Sequence, residues 1–336
     1  MNRLDYQDMN RLDYQDMRRS ELLKLCEERG LKGYKSLNME GIIKCLEAFD
    51  QNKQHPINNL TNHINIDSAQ DVESIQEMII HGDVLTIFPT LEDDSAQIII
   101  ADPPYNIGKD FGNRSDKQPM NEYLDWSEKW IKECLRILKP NGTMFIYGFS
   151  EILALILSRV PFEINRRWLI WHYTNKNVPS LHFWQRSHES ILVLWKNEKV
   201  FHRDDIREPY TDGFLNGAAG KERASTKGRF SKGEKTTTYT AHPGGALPRD
   251  VIKIPALSGG AGAKERVNHP TQKPLALCEK LIKSCMQSPS EGYVFVPFAG
   301  SGSECVAAKK MGLSFIGVEL NEEYVKIIHE RLAAEI

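Results

Sequence analysis

The chain has 336 residues, of which 40% are hydrophobic and 26% charged, and a formal net charge of −2. That content can bury a sizeable core, while the near-neutral balance excludes a global basic field, so any nucleic-acid binding must come from a local patch. No apolar stretch approaches the ~20 residues that span a bilayer and no basic start leads into an apolar run, which argues against membrane insertion and secretion; a cytoplasmic protein is expected. The six cysteines (Cys26, Cys45, Cys134, Cys278, Cys285, Cys305) lack a CxxC spacing and the ten histidines lack HExxH. Reduced thiols and no bound metal are therefore expected.

At the N-terminus the octapeptide Met1 to Asp8 is repeated as Met9 to Asp16, which marks residues 1–17 as a duplicated tail with no evident structural meaning. Residues 18–50 predict two amphipathic helices, the first carrying Leu22, Leu23 and Cys26, the second Ile42, Ile43, Leu46 and Phe49, joined through Gly30 and Gly33. This pair resembles a SAP-like helix-loop-helix DNA-binding module. Its seven basic and six acidic residues leave DNA contact and protein contact, including dimerisation, both open. An asparagine-rich stretch follows, and residues 51–74 read as a linker to a large domain over 75–336.

The large domain opens on His81-Gly82-Asp83. Ile98 to Ile100 then predict a short buried strand, which places Asp102-Pro103-Pro104-Tyr105 at the carboxyl end of a sheet, where open α/β folds hold their ligands. Proline restricts its own φ and that of the residue before it, so Asp102 and Pro103 are held in extended geometry. Neither proline has an N–H, which leaves the Asp102 carboxylate and the Pro103 carbonyl as neighbouring acceptors suited to an exocyclic amine. Tyr105 adds a face on which a base could stack, worth ~1–3 kcal/mol.

Asn121 is expected to cap a helix with Leu124, Ile131, Leu135 and Leu138 on one face, ending at Pro140-Asn141-Gly142, with a strand from Gly142 to Tyr147. The alternating Trp168, Trp171 and Tyr173 read as strand core that in part could line a pocket. Ser187-His188-Glu189 precedes the apolar run Ile191 to Trp195. Within a variable insertion over about 200–265, the stretch Lys221 to Lys235 holds six basic residues (Lys221, Arg223, Lys227, Arg229, Lys232, Lys235) against two acidic ones, with serine, threonine and glycine between them. It reads as a mobile loop that orders along a phosphate backbone.

His269-Pro270-Thr271-Gln272-Lys273-Pro274 comes next, then a strand over Tyr293 to Val296, the turn Phe298-Ala299-Gly300-Ser301-Gly302, and a helix over Ser303 to Met311. Such glycines let backbone approach a ligand closely. The run Leu313 to Val318 ends in Glu319, roughly 20 residues after the glycines, where nucleotide-binding folds hold ribose hydroxyls. Asn321 precedes a last helix with Tyr324, Ile328 and Leu332 on one face, read as packing. Strands alternating with helices imply a doubly wound, largely parallel α/β sheet.

In this order the motifs resemble the β class of S-adenosylmethionine-dependent DNA amino-methyltransferases, the N6-adenine/N4-cytosine family of DPPY type, over roughly residues 78 to 335. The resemblance implies a permuted, Rossmann-like methyltransferase sheet of seven strands with the last antiparallel. It assigns catalysis to Asp102, Pro103, Pro104 and Tyr105. It assigns S-adenosyl-L-methionine binding to Asp83, Asp102, Lys273, Phe298, Ala299, Gly300, Ser301, Gly302 and Glu319. The six basic residues of the insertion fall in its target-recognition region. Two departures stand out: Val296 replaces an aspartate usual before Pro-Phe, and Ser303-Glu304 replace threonines. Valine accepts no hydrogen bond, so the cofactor's amino group must find backbone or another acid, and weakened cofactor binding is expected.

The expected activity is methylation of adenine N6 in double-stranded DNA, on a base flipped out of the stack because the atom is inaccessible within it. Cytosine N4 methylation and a non-catalytic DNA-binding subunit of the same fold are the alternatives. The resemblance also brings a homodimer and a cognate restriction endonuclease into view as partners.

Overall fold

The computed structural model describes residues 18–28, 38–39, 42–43, 46, 77–108, 116–175, 180–228, 232–233 and 235–334. The chain divides into two compact units, residues 1–68 and 69–336. In the first, helix α1 (Arg19–Glu28) buries Leu22 and Cys26 against Ile42, Ile43 and Leu46, which are themselves helical and form a small core of their own. The duplicated tail, Gly30, Gly33, Phe49 and the expected linker lie outside the described residues.

The second unit carries the elements in the order β1 (Glu77–His81), α2 (Val84–Ile87), β2 (Ala96–Ala101), α3 (Met120–Ile137), β3 (Leu138–Gly148), α4 (Ser150–Leu157), β4 (Asn165–His172) and β5 (His188–Trp195). There follow α5 (Asp212–Gly217), β6 (Glu222–Ala224), β7 (Thr236–Thr238), β8 (Val251–Lys253), α6 (Leu275–Cys285), β9 (Tyr293–Val296), α7 (Ser303–Lys310), β10 (Phe315–Glu319) and α8 (Glu322–Ala334). One sheet runs β1-β10-β9-β2-β3-β5-β4-β8, parallel throughout except that β5 is antiparallel to both neighbours. The doubly wound α/β reading holds. The sheet has eight described strands rather than seven, because β8, at the end of the insertion, adds to the free edge of β4.

Chain order decides where ligands go. From β9 the chain proceeds through α7 to β10 on one side; from β2 it proceeds through α3 to β3 on the other. The direction of winding therefore reverses between β9 and β2, and the crevice beyond their carboxyl ends is the expected ligand position. These two strands pair in parallel, Ile99 opposite Phe295. Every residue of β2 and of β9 is buried, the pattern of parallel strands covered on both faces.

Local details differ from the sequence reading. Helix α3 begins at Met120 with Pro119 at its cap, so Asn121 lies inside the first turn. Proline is tolerated there because the first turn's N–H groups have no intrahelical acceptor. Leu138 is already paired, opposite Ala96, and the next pair is Thr143 with Ile98, so Pro140-Asn141-Gly142 form an irregularity within β3 rather than a separate turn. Part of the basic stretch is extended. β6 and β7 form an antiparallel ribbon, Arg223 opposite Thr237, extended by Ser225 N–H donating to Lys235 carbonyl at 2.7 Å. Three threonines in β7 favour that extended backbone. At the other end of the domain, Asn321 does cap α8 through Glu323 N–H, and Ile328 and Leu332 are buried as expected.

Candidate active site

Asp102 leaves β2 directly into the two prolines. Its Oδ2 accepts from Lys273 Nζ at 2.6 Å and its Oδ1 from the Tyr105 hydroxyl at 2.9 Å. The same hydroxyl lies 3.2 Å from Glu189 Oε2, Tyr173 donates to Glu189 Oε1 at 3.2 Å, and Lys273 Nζ sits 3.7 Å from Glu189. Lys273 stands over the rings of Tyr105 and Tyr147. Its side chain is only 2% exposed. Burial alone would lower its pKa, but Asp102 and Glu189 outweigh burial and the pKa stands above the usual lysine value. Tyr105 is pushed well up by burial and by both carboxylates, so its hydroxyl stays a donor. The Pro103-Pro104 turn is fixed from outside by Tyr123, whose hydroxyl donates to the Pro104 carbonyl at 2.8 Å, while Asp116 accepts from the N–H groups of Asn106 and Ile107.

The second wall is the turn after β9. Gly300 and Gly302 have φ of +50° and +75°, left-handed values that suit glycine. A Cβ at Gly300 would come within 3.0 Å of His269 Nε2, and one at Gly302 within 2.9 Å of the Ile328 side chain. Gly300 N–H donates to Glu319 Oε2 at 2.7 Å and Asn321 N–H to Oε1 at 2.8 Å. Burial raises the Glu319 pKa against these donors, which act to lower it. Phe298 packs at 5.5 Å from Trp126 and edge-on to Trp130. Above the glycines, His269 is lowered to about 3 by burial, with Lys273 and Arg331 adding to the effect, and is therefore a neutral imidazole.

These walls enclose one cavity of about 250 Å³. Of the residues assigned from sequence, Asp83, Asp102, Pro103, Pro104, Tyr105, Lys273, Phe298, Ala299, Gly300, Ser301 and Glu319 all line it. Gly302 does not; it sits at the N-cap of α7. Asp83 also caps α2 by accepting from Leu85 N–H. Trp168, Trp171 and Tyr173 are not on the wall: Trp171 and Tyr173 belong to the core, and Trp168 donates to Ser190 Oγ. Lys221, Arg223, Lys227, Lys232 and Lys235 are exposed on or around the ribbon and do not line the cavity, and Arg229 lies outside the described residues.

Sequence reasoning assigned no role in the site to Glu189, Asp116, Tyr123, His269, Tyr324 or Glu304, all but Glu189 of which line the cavity. Glu189 and His269 were visible only as parts of motifs, Tyr324 was read as packing, and in α3 only the aliphatic face was read, not Tyr123, Trp126 or Trp130. A cavity with a left-handed glycine floor, a carboxylate bonded to that backbone and further acids at its centre fits a nucleoside with a cationic amino-acid tail. At its other end, rigid acceptors fit an amine.

Comparison with known proteins agrees with this geometry. The profile of the DNA methylase family matches residues 96–330. The chain is 32% identical over 259 residues to the DNA adenine methyltransferase YhdJ of Escherichia coli (strain K12), covering 76% of this chain and 82% of that protein. It is 30% identical over 267 residues to the type II methyltransferase M.HpaI of Haemophilus parainfluenzae, covering 78% and 76%. Among solved structures, the PvuII DNA methyltransferase (cytosine-N4-specific) shares the fold with a TM-score of 0.52 at 17% identity, over 75% of this chain and 85% of that one.

Proposed function

This chain belongs to the family of S-adenosylmethionine-dependent DNA amino-methyltransferases, and from that membership we propose that it methylates adenine N6 of a base flipped out of duplex DNA. The observation that carries the reading is the convergence of Asp102 and the Gly300 turn, from the ends of two paired parallel strands, onto one cavity. The DPPY tetrapeptide and the likeness to a relative named as an adenine methyltransferase support adenine over cytosine.

When bound, S-adenosylmethionine supplies an electrophilic methyl group for direct transfer to an amine. Glu319 and Asp83 would hold the nucleoside end, and the backbone of Phe298 to Ser301 would lie against it. Asp102 accepts one amine hydrogen and the Pro103 carbonyl the other, which draws the nitrogen lone pair out of ring conjugation and stabilises the positive charge developing there. Lys273 and Tyr105 already bond the Asp102 oxygens. Each oxygen keeps a further lone pair for the amine, so these partners orient the acceptor without consuming it. Tyr105 presents its ring to the cavity while its hydroxyl is tethered, a fixed surface for the base. Much of the rate then comes from alignment rather than from acid–base chemistry.

The basic ribbon supplies phosphate contacts, and a homodimer and a partner endonuclease complete the reading. Nucleoside mass spectrometry of unmethylated DNA incubated with the protein and cofactor is expected to yield N6-methyladenine. N4-methylcytosine alone would transfer the assignment to the other amine, and no methylated nucleoside would support a non-catalytic DNA-binding role.

A further inference from the structure

The cavity contains an acid for which the proposed mechanism has no use. Glu304, the second residue of α7, lines the cavity wall yet is only 3% exposed. Its Oε1 accepts from Cys278 Sγ at 3.4 Å, a weak donor for a buried carboxylate. By contrast Val296, where the resemblance leads one to expect an aspartate, is fully buried and absent from the wall. The acid missing before the glycine turn has a counterpart after it.

The charges around Glu304 call for a cation. Facing it are Asp102 beyond β2, Tyr147 on β3, Lys273 before α6, Cys278 on α6, Cys305 on its own helix and Arg331 on α8. Lys273 is already committed to Asp102, with Glu189 close by. Arg331 Nη1 donates to the Ser301 carbonyl at 2.6 Å and to Ser303 Oγ at 3.1 Å. Burial first, and Asp102 second, push the Glu304 carboxyl up to about 7, against the opposing pull of Lys273. A buried carboxylate of this kind is stabilised by a ligand that brings both positive charge and N–H donors.

We propose that Glu304 is the carboxylate that receives the α-ammonium of the cofactor's methionine end, in place of an acid at position 296. The inference rests on the methyltransferase reading and adds a specificity residue to it. A sulfonium offers charge without a donor, whereas an ammonium offers three N–H groups, so the amino group is the matched partner.

Calorimetry on the full chain with two probes tests this. S-Adenosylhomocysteine keeps the amino-acid tail and lacks the sulfonium; 5′-methylthioadenosine lacks the tail. Glu304→Gln is expected to lower S-adenosylhomocysteine affinity about 10- to 100-fold and to leave 5′-methylthioadenosine affinity where it was. In the wild type near pH 7, S-adenosylhomocysteine binding is expected to release protons, read from buffers of different ionisation enthalpy, because burial and Asp102 hold the Glu304 pKa up and a facing ammonium lowers it. Glu304→Asp should retain part of that release and Glu304→Gln none. Undiminished S-adenosylhomocysteine binding by Glu304→Gln overturns the role of Glu304 alone, as does a loss confined to S-adenosylmethionine, which would point to the sulfonium. Should Glu304→Gln not fold, Glu304→Asp takes its place in the two-probe comparison, and S-adenosylhomocysteine affinity equal to wild type overturns it equally. If the wild type binds neither probe, the cofactor reading falls together with the inference.

Discussion

The corner around Asp102 and the basic ribbon are held by different means. At the corner, Asp102, Tyr105, Glu189 and Lys273 are all buried or nearly so, and the central ion pair joins residues 171 apart in sequence. Each polar group there is fixed by at least one other. The ribbon is two strands of three residues, all exposed, whose partners lie close in sequence. A reaction that depends on angles requires the first construction; contacts to a flexible, repeating phosphate chain need only the second.

Substitutions sharpen the contrast. The largest effect is expected from Asp102→Ala, which removes the acceptor for the developing charge. Turnover should fall by about 10²–10³-fold or more, while equilibrium binding of S-adenosylhomocysteine persists. Normal turnover in that variant would break the assignment of the corner. Lys273→Met comes next, because it leaves Asp102 and Glu189 without their buried cation. Loss of one partner of a buried pair costs about 3–5 kcal/mol, so denaturant unfolding should show a clear drop in midpoint and activity should fall with it. A midpoint equal to wild type would mean that the pair is not formed. The smallest effect belongs to the ribbon: Arg223→Ala, Lys227→Ala and Lys235→Ala together should flatten the log–log salt dependence of DNA affinity by about 2–3 units, with stability and cofactor binding unchanged. An unaltered slope would place the DNA contacts elsewhere.

Much of the corner was legible because its parts are local words. Three isoleucines, two prolines and a pair of glycines each carry their own backbone consequence, and their order along the chain fixed which strand ends would meet. What could not be read was partner choice across distance. Lys273 was assigned to the cofactor from its motif and lines the cavity, but its bond to Asp102 was not foreseen, because spacing along the sequence does not say which buried acid lies nearest. Tyr105 offered a ring, and only the fold shows Asp102 and Glu189 converging on its hydroxyl. The Pro140-Asn141-Gly142 turn was misread because tertiary pairing of Leu138 with Ala96 overrode local signals, and the Asn121 cap was off by two residues because Pro119 takes the cap position. The threonines that build β7 begin one residue past the basic stretch, at Thr236, and the sequence reading did not reach them.

The reversed strand β5 carries a consequence for how such a protein can diversify. Because it runs against its neighbours, it delivers Glu189 to the catalytic rim near its beginning and leaves on the opposite rim at Trp195. The insertion departs from that remote side and rejoins the sheet only as an outermost strand, β8. New loops can therefore be grafted between those two points and, on the proposed role of the insertion, new DNA sequences read without the chemistry being rebuilt.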